Sequence, residues 1–264
     1  MNIKDVLGIK KQFIIGMVHC LPLPGTPGYK GDCRKILDQA VSDAVTLEKA
    51  GVDAVIVENM GDSPFSEKLS SEQFAGLCAA TSCVKKAVKI PVGVDAAFCD
   101  SKASLIIAKV TGCEFIRVAV FVDTVLFTDG IIYPSAHDCM VYRKQIDGEN
   151  IMILADVQVK HTRMVFQGIS VEDSAKDAVA CGADAIIVTG TGTGVETPIT
   201  LIKSIKQTVK VPVIAGSGVT KENIYDQMQI ADGVIVGSSL KEGGKLENPI
   251  SYSLAHDLVS TIKK

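Results

Sequence analysis

Short, almost unbroken apolar runs recur along the chain, separated by stretches whose apolar positions repeat at helical spacing. The runs lie in FIIGMVH (13–19), KAGVDAVIVE (49–58), KIPVGVD (89–95), TGCEFIRVAV (111–120), IMILADV (151–157), CGADAIIVTG (181–190), KVPVIAGSG (210–218) and IADGVIVGSS (230–239). Continuous rather than alternating apolar character predicts strands covered on both faces, as in a parallel sheet packed under helices. Between the runs, Leu37, Ala40, Val41, Ala44 and Leu47 share one face of a helix over 36–50. Ser170 with Asp173 predicts a capping box, Thr197 with Pro198 a cap and first-turn proline, and Thr220 a further cap.

Four of the runs repeat one unit: a helix end, a glycine, an acid, then the strand. Gly51, Gly112 and Gly182 suit the left-handed residue that closes a helix, while the fourth unit has Ala231 at that place. Pro91 and Pro212 stand at strand entrances, where a missing N–H does least harm. Eight strand–helix alternations without a break in composition predict an α/β fold, a single (β/α)8 TIM barrel over residues 1–264. The length of 264 residues is close to the ~250 typical of that barrel. The rival is an open doubly wound sheet, for which fewer strands or a second domain would be expected.

In such a barrel the chemistry sits at the carboxyl ends of the strands. The first strand ends at His19, the second at Glu58 and Asn59, the third at Asp95, and the fourth carries Arg117. The fifth ends at Asp156, followed by Lys160 and His161, and the sixth at Thr189 and Gly190. Any one of these serves equally well as a cap or ion-pair residue, but polar groups converging on one mouth point to a ligand. The seventh and eighth strands run into Gly216-Ser217-Gly218 and Gly237-Ser238-Ser239. Small residues there let backbone N–H groups approach a phosphate, helped by a short helix beginning near Ser238. The loops 19–34, 61–72 and 122–137 are long enough to serve as lids, or simply as surface decoration.

Composition narrows the partners. The net charge of -3 is spread along the chain without a basic stripe, which argues against a nucleic acid polymer. The apolar runs are too short for a membrane span, and the N-terminus lacks a secretory pattern, so no membrane insertion and a cytoplasmic location are expected. The eight cysteines form no C-x-x-C pair and read as reduced thiols. A homo-oligomer is compatible with all of this.

The stretches IIGMVHCLPLPGTPGY (14–29), DAVIVENMGDSPF (53–65), ADVQVKH (155–161), ADAIIVTGTGTG (183–194), IAGSGVTKEN (214–223) and ADGVIVGSSLKEGG (231–244) resemble the BtpA/SgcQ family over nearly the whole chain. The resemblance implies a branch of the ribulose-phosphate-binding barrels, with members tied to photosystem I biogenesis, to sugar metabolism or to nucleoside triphosphate hydrolysis. This chain departs from the family pattern G-x-N-x-L-R-N-D after the third strand, with Asp95, Phe98 and Cys99, and at Ala119 on the fourth.

Two functions fit. The first is an enzyme of isomerase, lyase or hydrolase type acting on a small phosphorylated sugar or nucleotide-like molecule. In it Asp156 and Lys160 form the proton-transfer pair, Glu58 a second acid or base, and His19 a shuttle. Asn59, Asp95, Arg117, His161, Thr189, Gly190, Gly216, Ser217, Gly218, Gly237 and Ser238 then bind substrate or its phosphate. The residues single out no cofactor; an Mg2+ ion is the variant reading, with Glu58, Asp95 and Asp156 as its ligands beside His19. The second function is non-catalytic, an assembly or biogenesis factor or a metabolite-sensing scaffold.

Overall fold

The computed structural model describes residues 3–8 and 12–263; the expected domain span also takes in 1, 2, 9–11 and 264, which lie outside the described residues. Eight parallel strands close into a barrel: β1 (Phe13–His19), β2 (Ala54–Glu58), β3 (Val92–Asp95), β4 (Phe115–Val118), β5 (Met152–Asp156), β6 (Ala185–Val188), β7 (Val213–Ala215) and β8 (Gly233–Val236). Each is followed by a helix: α1 (Cys33–Ala50), α2 (Ser71–Ala87), α3 (Ser101–Thr111), α4 (Ala136–Gln145), α5 (Val171–Ala180), α6 (Ile199–Thr208), α7 (Ile224–Met228) and α8 (Tyr252–Ile262). β1 pairs with both β2 and β8, which closes the ring.

The acid of the repeated unit has a structural purpose that its position alone did not reveal. Asp53, Glu114, Asp184 and Asp232 stand just before the even-numbered strands. Their carboxylates accept the N–H of Ile14, Val92, Ile153 and Val213 on the preceding odd-numbered strands. Each acid returns its own N–H to the carbonyl of the same residue. This exchange pins strand pairs at the amino-terminal end of the barrel, satisfying backbone donors where the ladder stops. A cation backs each carboxylate: Lys263, Lys85, Arg143 and Lys206 respectively. Gly51 and Gly112 close α1 and α3 with φ of 94° and 76°, the left-handed conformation expected of them.

Inside the barrel, every second residue points to the axis. Phe13, Ile15 and Met17 of β1 meet Ala54, Ile56, Phe115, Met152, Leu154, Ala185, Ile187, Ile214 and Ile235 in one buried cluster. Gly93 and Gly233 make room for its two rings: a Cβ there would lie 2.2 Å from Phe115 Cε2 and 2.3 Å from Phe13 Cε2. A helical turn, Ile3–Val6, sets Ile3 and Leu7 against the same cluster.

Two predicted caps are corrected. α6 begins after Pro198 with no side-chain cap, because Thr197 is fully buried and turns its hydroxyl to the carbonyls of Val188 and Ser217. Thr220 does not cap α7 either; Asn223 precedes that helix and reaches back to accept the Thr220 N–H. Ser170 caps α5, accepting from Asp173 N, but the expected box is only half formed, because the Asp173 carboxylate takes the Ser170 hydroxyl and not its backbone N–H.

Of the candidate lids, the segment after β4 forms a hairpin, Val125–Phe127 with Gly130–Ile132, joined antiparallel by Arg163–Met164 from the loop after β5. Val125 and Ile132 are buried on the inner face of this small sheet, and Leu126 and Ile131 are exposed on the outer face. Asp123 fastens its base, accepting from Gln158 N and from the Ser174 hydroxyl. No helix among the described residues is long and apolar enough to cross a membrane.

Candidate functional site

The inward alternation of the core continues upward for one more residue on each strand. Above Met17, Ile56, Gly93, Phe115, Leu154, Ile187, Ile214 and Ile235 come His19, Glu58, Asp95, Arg117, Asp156, Thr189, Gly216 and Gly237. The polar layer is therefore a direct extension of the apolar one. It opens into a cavity of about 450 Å³, within the range of small-molecule sites.

Arg117 is the centre of the layer. Its Nε and Nη2 donate to the two oxygens of Asp156 at 2.8 and 2.9 Å, a bidentate pair, and its Nε lies 3.7 Å from Asp95. Burial works to discharge the guanidinium, but the adjacent Asp156 carboxylate outweighs it and holds Arg117 charged. Asp95 is different. Burial, and then the charge of Glu58, push its carboxyl well above the usual range; Arg117 opposes this, but its Nε–H is directed to Asp156 and lies 3.7 Å from Asp95. Glu58 lies 3.4 Å from His19 Nε2, and this partner keeps its pKa low despite burial. Lys160 is shifted down by burial and by the nearby Arg117. One cavity thus holds an acid pushed upward and an amine pushed downward, the pattern of groups tuned to exchange protons near neutrality.

The turn after β5 is built to present Lys160. Gln158 and His161 both take positive φ, 44° and 66°. Thr189 accepts the Lys160 N–H through its hydroxyl, and His161 Nε2 lies 2.9 Å from the Thr193 hydroxyl. Burial, with Lys160 nearby, lowers the His161 pKa.

On the opposite side, the rim is backbone. Gly218 has φ of 64°, and a Cβ there would fall 2.2 Å from Glu196 N, so the turn after β7 requires glycine. A Cβ on Gly237 would lie 2.9 Å from His19 Cε1. The helix expected near Ser238 is a single 3-10 turn, Ser238–Leu240. The N–H groups of Gly218, Ser238 and Ser239 donate no hydrogen bond among the described residues. Lys241, next along, is fully buried and paired with Asp43 of α1 at 2.8 Å; Asp43 also accepts Ile250 N. That pair anchors the chain on both sides of the rim.

His19, Glu58, Asp95, Arg117, Lys160, His161, Gly216, Ser217, Gly218, Gly237 and Ser238 line the cavity together. Four of the sequence candidates do not. Asn59 is fully buried behind it, holding the N–H and C=O of Ala97 and one oxygen of Asp62. Asp156 is fully buried beneath Arg117, and Thr189 is occupied with the Lys160 backbone. Gly190 gives its N–H to the Ser217 hydroxyl and packs on the Val195 carbonyl. The Ser217 side chain is spent inside the fold as well, bridging Gly190 and Val195. Cys99, a departure from the family pattern, is a buried thiol bonded to the Val120 backbone and pushed by burial to about 12.

Glu58, Asp95 and Asp156 do not make a cation site. The guanidinium of Arg117 already fills the space between Asp95 and Asp156, and no group of three His, Cys, Asp or Glu among the described residues is disposed to hold a metal. Sequence reasoning does not give the apolar wall of the cavity, where Met60, Phe65, Phe127 and Val159 stand beside Phe98. The signal was present, since Asp129-Gly130 between two apolar stretches is a hairpin turn.

Comparison with known proteins gives the family and the fold. The model of the BtpA family matches residues 10–264. An uncharacterized protein of Pyrococcus furiosus is 41% identical over 254 residues, covering 96% of this chain and 95% of its own. The photosystem I biogenesis protein BtpA of Synechocystis is 33% identical over 240 residues, covering 90% of this chain and 83% of its own. Among solved structures, (S)-3-O-geranylgeranylglyceryl phosphate synthase from Thermoplasma acidophilum, in complex with sn-glycerol-1-phosphate, superposes with a TM-score of 0.62. It covers 100% of this chain and 99% of its own at 17% identity, a likeness of fold.

Proposed function

The chain belongs to the BtpA family, and from that premise we propose that it is an enzyme acting on a small phosphorylated molecule. The phosphate rests on the backbone after β7 and β8, and a proton is moved at the centre of the mouth. The observation that carries the reading is the opposed shift of Asp95 and Lys160 in one cavity, facing a rim of unbonded N–H groups. Support also comes from the Thermoplasma barrel, whose ligand is a glycerol phosphate.

The roles follow from the contacts. Lys160, an amine made easier to deprotonate, accepts or returns the proton, and Asp95, an acid made harder to deprotonate, supplies the opposite function. Asp156 passes from proton-transfer group to positioning residue, because both its oxygens hold Arg117. Arg117 then presents a fixed positive charge to whatever charge develops on the substrate. Glu58 keeps His19 oriented beneath Gly237. Backbone donors of Gly218 and Ser238 hold the phosphate without a charged side chain.

The test is turnover of a panel of phosphorylated small molecules by the purified chain, with Lys160→Met and Asp95→Asn. Each substitution should lower kcat about 10²–10⁴-fold. Turnover that neither substitution changes would sink the mechanism.

A second reading is favoured by one feature: Leu126 and Ile131 form an exposed apolar face on the outer side of the small sheet, with Tyr133 and Phe166 also exposed. In an assembly factor this face would meet a partner. Leu126→Lys with Ile131→Lys would then abolish assembly in cells while leaving turnover intact.

A further inference from the structure

The charged groups account for only part of the cavity wall. The rings of Phe98 and Phe127 stack with centroids 4.0 Å apart and planes 10° from parallel, and both line the cavity with Phe65, Met60 and Val159. They come from separate parts of the chain, Phe98 from the loop after β3 and Phe127 from the inner face of the small sheet.

Phe98 is mounted rigidly. Asn59, fully buried, accepts from the N–H of Ala97 at 2.8 Å and donates to its carbonyl at 3.1 Å. Phe98 N–H donates to Ser66 O, and the thiol of Cys99 is bonded to the Val120 carbonyl. Phe127 is fixed by pairing with Gly130 across its hairpin. The wall stands before any ligand arrives, yet both rings remain partly exposed to the cavity. Polyhydroxylated carbon would find no hydrogen-bonding side chain among Met60, Phe65, Phe98, Phe127 and Val159, and only the Thr128 hydroxyl next to Phe127 in the lining, so most of its hydroxyls would lose water without replacement. A flat π-system loses nothing there and gains stacking.

We infer that the phosphorylated molecule carries an aromatic or heteroaromatic ring that lies against the Phe98–Phe127 wall. This inference rests on the phosphate reading above. It separates the ligand from plain sugar phosphates and gives the mouth three functions: phosphate at β7 and β8, proton transfer at the centre, ring under the small sheet.

Titration calorimetry on the full chain tests it, with inorganic phosphate, ribose 5-phosphate, and adenosine and uridine 5′-monophosphates. The nucleotides differ from ribose 5-phosphate by the ring. At least one nucleotide should bind about ten-fold or more tightly than ribose 5-phosphate. Phe98→Ala should remove most of that advantage and leave the affinity for inorganic phosphate unchanged. Phe98→Leu, which keeps the apolar volume without the π-face, should retain only part of it, and a thermal melt checks that both variants are folded. Ribose 5-phosphate binding as tightly as both nucleotides, or an advantage that survives in both variants, would overturn the inference alone. Failure of every ligand, inorganic phosphate included, would overturn the phosphate reading and this inference with it.

Discussion

Replacing Asp95 by Asn should stabilise the protein, and by more as the pH rises. Asp95 is 4% exposed and lies near the carboxylates of Glu58 and Asp156, and the opposing charges of Arg117 and Lys160 do not offset its burial, since the Arg117 Nε–H is directed to Asp156. Its carboxyl therefore keeps its proton in the folded state well above the ordinary value of 3.8. The sign follows from linkage: the folded state holds the proton where the unfolded state has released it. The stabilising contribution is complete below the unfolded pKa and is lost as pH rises towards the folded one. The loss is about 1.4 kcal/mol for each pH unit in that window. Asn matches the shape of the neutral carboxyl and does not ionise, so the variant escapes it. Urea unfolding of both proteins from about pH 4.5 to 8, with m-values compared, measures the difference directly. The variant's advantage should widen with pH and then level off. A difference independent of pH, or one that turns against the variant as pH rises, would mean that Asp95 is ionised and held by Arg117, and the proton-transfer role would lose its basis.

Other outcomes follow from single contacts. Lys241→Met leaves Asp43 buried without its cation and should cost about 3–5 kcal/mol in chemical unfolding, part of it recovered by adding Asp43→Asn, which removes the charge and keeps an acceptor for Ile250 N. Asp184→Ala strips the Ile153 N–H of its acceptor and should cost about 1–3 kcal/mol, with Asp53→Ala behaving alike at Ile14. Gly218→Ala meets both a positive φ and the Glu196 backbone, so thermal melts should show a loss of more than about 1 kcal/mol, and phosphate affinity should fall with it.

The sequence was most legible where one-dimensional periodicity carries the information. Eight apolar runs became eight strands because a doubly covered strand is apolar along most of its length, and the polar residues at and beyond their carboxyl ends, Arg117 within β4 among them, became the mouth. Parity decides some of what the linear reading left mixed: with Glu58 facing inward, Asn59 must face outward, and Gly190 stands to Thr189 in the same way. Other roles depend on neighbours far apart in the chain. Asp156 is a strand-end acid like Asp95, and only the bidentate Arg117, 39 positions away, makes it a support instead of an acid. The stacking of Phe98 on Phe127 likewise needed the hairpin to fold back over the mouth. The acids of the repeated unit stand out in the sequence, but their exchange with the preceding strand depends on the register.

The central claim is a phosphate held by backbone donors after β7 and β8, and amide NMR during titration with inorganic phosphate addresses it most directly. The account predicts saturable shifts concentrated on the N–H groups of Gly218, Ser238 and Ser239. Shifts that leave those three amides unmoved while phosphate saturates elsewhere, or no saturation at all, would contradict it.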